Sequence, residues 1–359
     1  MKPGTHHDME TAVIAITRNG IGIGSRLLSE FPEWDVLAPA KLRDGTPGIT
    51  WYEEPTPRMV GEAFKRYDAL VCVFSLGAVI RLVSPHLVDK KTDPAVMVID
   101  DRAGFVISAL SGHIGGANEL ARQVAARLGA TPVITTAADV NDTIAVDLVG
   151  RDLGWSIEEG CPVTSVSAHM VNGDPIGIWQ DAGSRAWRAK MPPNVTIYKT
   201  LEELDGSGSS ACLVITDRIV SPAIESVVYR PPSLVVGVGV HGDTPAEKIT
   251  SKIAEVLEGH GLSPRSISAI ASIKKPAEVR GLAEAAGRLD VDLVHVDRER
   301  LAEVRAPNPS DTVMAYEGTA SVSEAAAILV SGGGLVVEKQ KFPPDLTVAV
   351  ARIPSEGAG

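Results

Sequence analysis

Residues 111–119 read Ser-Gly-His-Ile-Gly-Gly-Ala-Asn-Glu, between a strand-like run (FVISAL, 105–110) and a helical pattern. Small residues let a ligand come close to the backbone. The N–H groups of a helix's first turn, at the positive end of its dipole, suit an anion. On this reading Ser111, Gly112, Gly115, Gly116 and Asn118 hold an anionic group. His113, of a type that titrates near neutral pH, moves a proton. The plain alternative is a tight turn with Asn118 as a helix cap. No GK[ST] follows the glycines, and neither GxGxxG nor a GxSxG elbow is present, so nucleotide-loop and serine-hydrolase readings find little support.

Further candidates follow other strand-like runs. Gly77 and Arg81 lie behind the run at 69–74, with Lys90 and Lys91 further on, and Arg81 is suited to a carboxylate. Asp100 opens a turn at 100–104. Thr135, Thr136 and Asp139 follow a run at 132–135. In an open parallel sheet, ligands bind beyond the carboxyl ends of the strands. Loops after Phe74, Leu110 and Thr135 are therefore expected to share one crevice if those strands are neighbours. Near the C-terminus, His241 and Thr244 occupy another strand-to-helix junction. Glu324 completes a Ser-x-x-Glu capping box that explains it without chemistry. The eight histidines and three cysteines are scattered, with no metal-ligand spacing.

The elements that must position these residues alternate. Strands are expected at 11–17, 69–74, 95–99, 105–110 and 132–135 and helices at 20–31, 75–82, 119–128 and 143–153, an order that gives a mostly parallel sheet covered on both faces. Residues 165–171 and 176–180, around Asn172-Gly-Asp174, read as a β-hairpin in a small β-rich middle segment. After Pro231-Pro232 the strand–helix pattern restarts, with Thr244-Pro-Ala-Glu247 as a second capping box. The expected class is α/β: an N-terminal mostly parallel α/β sandwich (1–154), a β-rich middle segment (155–231) and a C-terminal α/β domain (232–359).

A net charge of −11 argues against nucleic-acid binding, which needs a basic field. No run approaches the roughly 20 apolar residues of a membrane span, the N-terminus has no apolar signal segment, and no CxxC pair is present. The expectation is a cytoplasmic protein with no nucleic-acid or membrane partner.

Three stretches carry a resemblance: SLGAVIRLVSPHLVDKKTDPAVMVID (75–100), FVISALSGHIGGANELARQVAARLGATPVITTAAD (105–139) and SVSEAAAILVSGGGLVVEKQKF (321–342). Together they resemble the CbiG family of cobalt-precorrin-5A hydrolases, in the anaerobic route to cobalamin. The C-terminal third is similar to CobE. The resemblance implies that water opens the ring-A δ-lactone of a cobalt-bound tetrapyrrole and that a two-carbon unit leaves as acetaldehyde. It further implies catalytic roles for His113 as a base, helped by Asp139 or Asp100. Substrate carboxylates would be held by Arg81, Lys90, Thr135, Thr136 and the glycine loop, with Gly77, His241, Thr244 and Glu324 also binding substrate. Where the family carries a Cys–basic pair, this chain has Val240-His241, which removes a thiol and replaces a fixed cation with a titratable one. The cobalt belongs to the substrate, so no cofactor or protein metal site is implied. The partners expected are the corrinoid and other enzymes of the pathway; a homo-oligomer is left open. The terminal domains would face each other across a cleft bridged by the middle segment. The rival readings are a non-catalytic corrinoid carrier and a nucleotide or sugar-phosphate enzyme.

Overall fold

The computed structural model describes residues 9–89, 92–113, 115–189, 191–277 and 279–355. The chain divides between Leu148 and Val149 into two compact units.

The first unit contains β1 (Thr11–Ala15), α1 (Arg18–Glu30), β2 (Asp35–Pro39), β3 (Ile49–Tyr52), α2 (Thr56–Arg66), β4 (Ala69–Val73) and α3 (Leu76–Val83). It continues with β5 (Ala95–Ile99), β6 (Phe105–Leu110), α4 (Ala117–Leu128), β7 (Thr131–Val133) and the short α5 (Ala137–Val140). The strands form one sheet in the order β3-β2-β1-β4-β5-β6-β7. Its central strands are buried on both faces, which is why they read as unbroken apolar runs. Successive residues point to opposite faces. Val13 and Ala15 pack with Ile21 and Leu27 of α1 and Leu120 and Val124 of α4. Ala12 and Ile14 pack with Val60 and Phe64 of α2 and Val79 of α3. The Thr17 hydroxyl caps α1, accepting from the Gly20 N–H at 2.9 Å. Left-handed Gly129 ends α4.

One register decides where a site can form. β5 and β6 are antiparallel, with Ile99 opposite Val106 and Val96 opposite Leu110, whereas β6 and β7 are parallel to each other. The carboxyl ends of β6 and β7 therefore lie at the edge where β4 and β5 begin. The single crevice expected from the loops after Phe74, Leu110 and Thr135 does not exist. The loop after Phe74 opens at one edge of the sheet and the loop after Leu110 at the other, separated by the length of β6, roughly 17 Å at the usual rise per residue.

The second unit holds two sheets. The first is built from β8 (Ser156–Ile157), α6 (Val163–Asn172), β9 (Ile176–Gln180), β10 (Val195–Tyr198), α7 (Leu201–Asp205), β11 (Ala211–Ile215) and β12 (Ser226–Arg230). Its order is β10-β9-β11-β12-β8, parallel except for β8. The second comprises β13 (Leu234–Val240), α8 (Ala246–Gly259), β14 (Ile267–Ile273), α9 (Arg280–Leu289), β15 (Asp292–Val296), α10 (Arg298–Ala302), α11 (Asp311–Glu317), α12 (Val322–Ser331), β16 (Leu335–Phe342) and β17 (Leu346–Arg352). Its order is β15-β14-β13-β17-β16, with β17 antiparallel to both neighbours. The sheets are tied by Asp217, fully buried, which accepts from Arg352 Nε at 2.7 Å and Nη2 at 2.6 Å and from the Ser233 hydroxyl at 2.8 Å.

Several sequence expectations are corrected. The hairpin around Asn172-Gly-Asp174 is helix α6 followed by β9, because Val166 and Met170, four residues apart, are the buried positions and Gly173 is a left-handed helix cap. Residues 143–150 run as loop and turn rather than helix, leaving a single 3-10 turn at Arg151–Leu153 between left-handed Gly150 and Gly154. Neither capping box forms. Pro245 is the N-cap of α8, the Thr244 hydroxyl donates to the Asp345 carbonyl at 3.3 Å, and Glu247 pairs with Arg288 at 2.6 Å. Ser321 caps α12 without a side-chain bond. Glu324 is fully buried and accepts instead from the Asn308 N–H, Asn308 Nδ2 and the Lys339 N–H. For Thr244, Glu247 and Glu324 a tertiary partner outcompetes a weak local bond.

Candidate active site

Gly115 and Gly116 come back against Ser111 and His113. Ser111 takes a left-handed backbone (φ 54) and its hydroxyl donates to the Asp93 carbonyl at 3.0 Å. A Cβ on Gly115 would stand 2.4 Å from Ser111 Cβ, and one on Gly112 would stand 2.6 Å from Asn118 Oδ1. The glycines are therefore required by the loop's own closure. That closure uses three N–H groups: Gly116 N donates to His113 O (3.1 Å), Ala117 N to Ser111 O (3.2 Å) and Asn118 N to Gly112 O (2.9 Å). Beside these backbone bonds the loop presents a cluster of side chains.

That cluster is centred on Asp139. Its Oδ2 meets His113 Nε2 at 2.7 Å and accepts from Asn118 Nδ2 at 2.8 Å, while Oδ1 accepts from Arg122. Asn118 is 4% exposed, also donates to the Thr136 hydroxyl at 2.9 Å, and its Oδ1 has no hydrogen-bond partner among the described residues. On the other side of the imidazole, Nδ1 lies 3.6 Å from Asp147 Oδ1. His113 thus stands between two carboxylates. Asp147, and Asp139 with it, raise its pKa above the ordinary histidine value against the opposing effect of burial. Burial pushes Asp139 up, but the hydrogen bonds from Arg122 and His113 hold it below the usual carboxylate range. A ring with carboxylates at both nitrogens is best matched by imidazolium, which donates from both. The geometry lets His113 donate toward a carboxylate from either ring nitrogen.

The remaining candidates are dispersed. Thr136 joins the cluster through Asn118, whereas Thr135 is exposed beside it. Asp100 and Arg81 stand at the opposite edge of the sheet. Asp100 accepts from the Arg102 N–H (2.9 Å) and the Phe105 N–H (2.6 Å), so it holds the β5–β6 turn. Arg81 donates to the Gly77 carbonyl at 3.1 Å, one turn back on α3. Lys90 lies outside the described residues. In the second unit His241 is exposed, whereas Thr244 and Glu324 are buried and occupied structurally. Sequence reasoning missed Arg122 and Asp147. Arg122 carries a readable signal: it lies four residues after Asn118, on the same face of α4. Among the described residues no group of three His, Cys, Asp or Glu side chains could hold a metal ion, and no helix is long and apolar enough to cross a membrane.

The fold and cluster define an α/β protein with a histidine–carboxylate group at the carboxyl ends of two strands. Three family models match the chain: Cobalamin synthesis G N-terminal over 58–139, Cobalamin biosynthesis central region over 144–231 and Cobalamin synthesis G C-terminus over 234–351. A cobalt-precorrin-5A hydrolase of Priestia megaterium is 39% identical over 354 residues, covering 96% of this chain and 95% of that protein. The cobalt-precorrin-5A hydrolase of Salmonella typhimurium is 32% identical, covering 91% and 93%. A solved cobalamin biosynthesis protein G homologue from Sulfolobus solfataricus aligns over 97% of this chain and 99% of its own at 22% identity, with a TM-score of 0.39. The chain belongs to the CbiG family.

Proposed function

We propose that this chain is a cobalt-precorrin-5A hydrolase of cobalamin biosynthesis. The observation that carries the reading is the 39% identity to a hydrolase of that name across nearly the full length of both chains. The non-catalytic carrier is not favoured, since the full-length relatives are named as hydrolases. Water adds to the lactone carbonyl, giving up one proton to solvent, and the ring oxygen leaves with a proton from the His113 imidazolium. The acid formed ionises to solvent. Neutral His113 then takes the proton of the freed hydroxyl, the adjacent carbon–carbon bond breaks, the macrocycle accepts the electron pair, and acetaldehyde departs. One proton moves out and back, and Asp139 and Asp147 favour its return. The substrate carries its own cobalt, so the proposal calls on no cofactor held by the protein. The unpaired thiols of Cys72 and Cys212 support a reducing, cytoplasmic setting.

The test is anaerobic incubation of the protein with cobalt-precorrin-5A. Acetaldehyde and the matching loss of a two-carbon unit from the corrinoid are expected. Binding without acetaldehyde would restore the carrier reading, and no binding would remove the corrinoid altogether.

A further inference from the structure

In the first sheet of the second unit, the chain leaves β9 toward β10 on one side, while β11 lies on the other. The carboxyl end of β9 is therefore a topological switch point, the place where open parallel sheets take ligands. Gln180, the last residue of β9, is 8% exposed and organises the loop that follows. Its Nε2 donates to the carbonyls of Ala182 (2.9 Å), Gly183 (3.2 Å) and Ser184 (3.0 Å). Its Oε1 accepts from Trp187 Nε1 (3.0 Å) and from Arg188 Nε (3.1 Å) and Nη2 (2.8 Å).

Among the described residues the charge on Arg188 has no local answer. Arg218 faces Asp181 at 2.5 Å, Arg230 faces Glu158 at 2.6 Å and Arg352 faces Asp217. Among the described residues Arg188 has no carboxylate within ion-pair distance; it rests on a neutral amide, and both burial and Arg185 disfavour its charge. Partly burying a guanidinium without a counter-charge is unfavourable. Because Gln180 takes the Nε–Nη2 edge, the Nη1–Nη2 edge is left for a second acceptor, and that fork matches a carboxylate. Beside it, the Trp187 ring lies 5.8 Å from the guanidinium carbon and meets Trp155 edge-on at 6.4 Å. A fixed cationic fork next to indole surface suits a carboxylate arm projecting from a flat conjugated ring.

We propose that Arg188, set by Gln180 beside Trp187, binds a carboxylate side arm of the tetrapyrrole substrate. The assignment rests on the hydrolase reading for the identity of the ligand, but the carboxylate site itself does not. The experiment has two arms on the full chain. In turnover of cobalt-precorrin-5A, Arg188→Gln is expected to raise KM about 10- to 100-fold, the scale of a charge-assisted bond, with kcat within about twofold and an unchanged Tm. In the second arm, quenching of tryptophan fluorescence by uroporphyrin, a polycarboxylated tetrapyrrole, is expected to weaken in the same variant. Wild type that binds uroporphyrin through Arg188 yet releases no acetaldehyde would sink the hydrolase reading and keep the site. A folded R188Q with wild-type KM and wild-type uroporphyrin affinity would overturn the site. If R188Q does not fold, Arg188→Lys keeps the charge without the fork. An elevated KM then supports the proposal, and an unchanged one overturns it.

Discussion

His113 Nε2 lies 2.7 Å from Asp139 Oδ2, and that oxygen also accepts from Asn118 Nδ2 at 2.8 Å, so the acid–base pair is held by a third, buried side chain. Removing the ring in His113→Ala is expected to lower kcat by about 10²- to 10⁴-fold, the usual range for a positioned acid or base, with substrate affinity largely kept. Acetaldehyde release and a binding titration on the same preparation separate the two; full activity would exclude His113 from the chemistry.

The pH dependence carries a definite sign. If His113 acts as a donor, kcat/KM falls on the alkaline side, above the ordinary histidine range, because two carboxylates raise its pKa. Asp139→Asn removes one of them and is expected to move that limb to lower pH. A limb that stays in place would mean that another group titrates.

Stability should follow the same linkage. The folded pKa of His113 is raised, so its contribution is complete below about pH 6.5, the unfolded value, and fades as pH rises through the folded one. The Tm difference between wild type and His113→Gln is expected to be larger near pH 6 than near pH 9. Equal differences at both would show that the ring is not protonated in the native cluster.

The buried pair in the second unit is a harsher test. Arg352→Ala strands the fully buried Asp217 carboxylate with the Ser233 hydroxyl as its remaining side-chain donor among the described residues. It is expected to cost about 3–5 kcal/mol in denaturant unfolding. The double variant with Asp217→Ala should lose less than the sum of the two singles, as coupled partners do.

Gly237 of β13 marks where α12 lies directly on the sheet. A Cβ there would stand 1.8 Å from the Ser323 carbonyl oxygen. Gly237→Ala must push a helix off its strand and is expected to destabilise by about 2–3 kcal/mol, the scale of overpacking, visible in Tm.

The legible parts of the fold were those fixed by local pattern. Unbroken apolar runs such as Thr11-Ala-Val-Ile-Ala15 and the glycine ending α4 have one good solution each. Asn172-Gly-Asp174 has two, because the same residues suit a hairpin turn and a helix cap; only the spacing of Val166 and Met170 separates them. Thr244 and Glu324 obeyed a local rule that more distant partners overrode. The turn at 100–104 was itself legible, and it already required β6 to run opposite to β5. Carried through, it would have separated Arg81 and Asp100 from His113 in advance. Asp147 could not be found this way, since its approach to His113 depends on an irregular loop.

The reversal at β6 gives one sheet two independent rims. Thr17, Asn19 and Asp101 knit together the rim at the ends of β1 and β5, and His113, Asn118, Thr136 and Asp139 occupy the rim where β6 and β7 end. Loops at the first rim can lengthen, shorten or change residue type over generations without moving an atom of the second. Within the family, the N-terminal unit should accumulate change at two rates along opposite rims of the same strands.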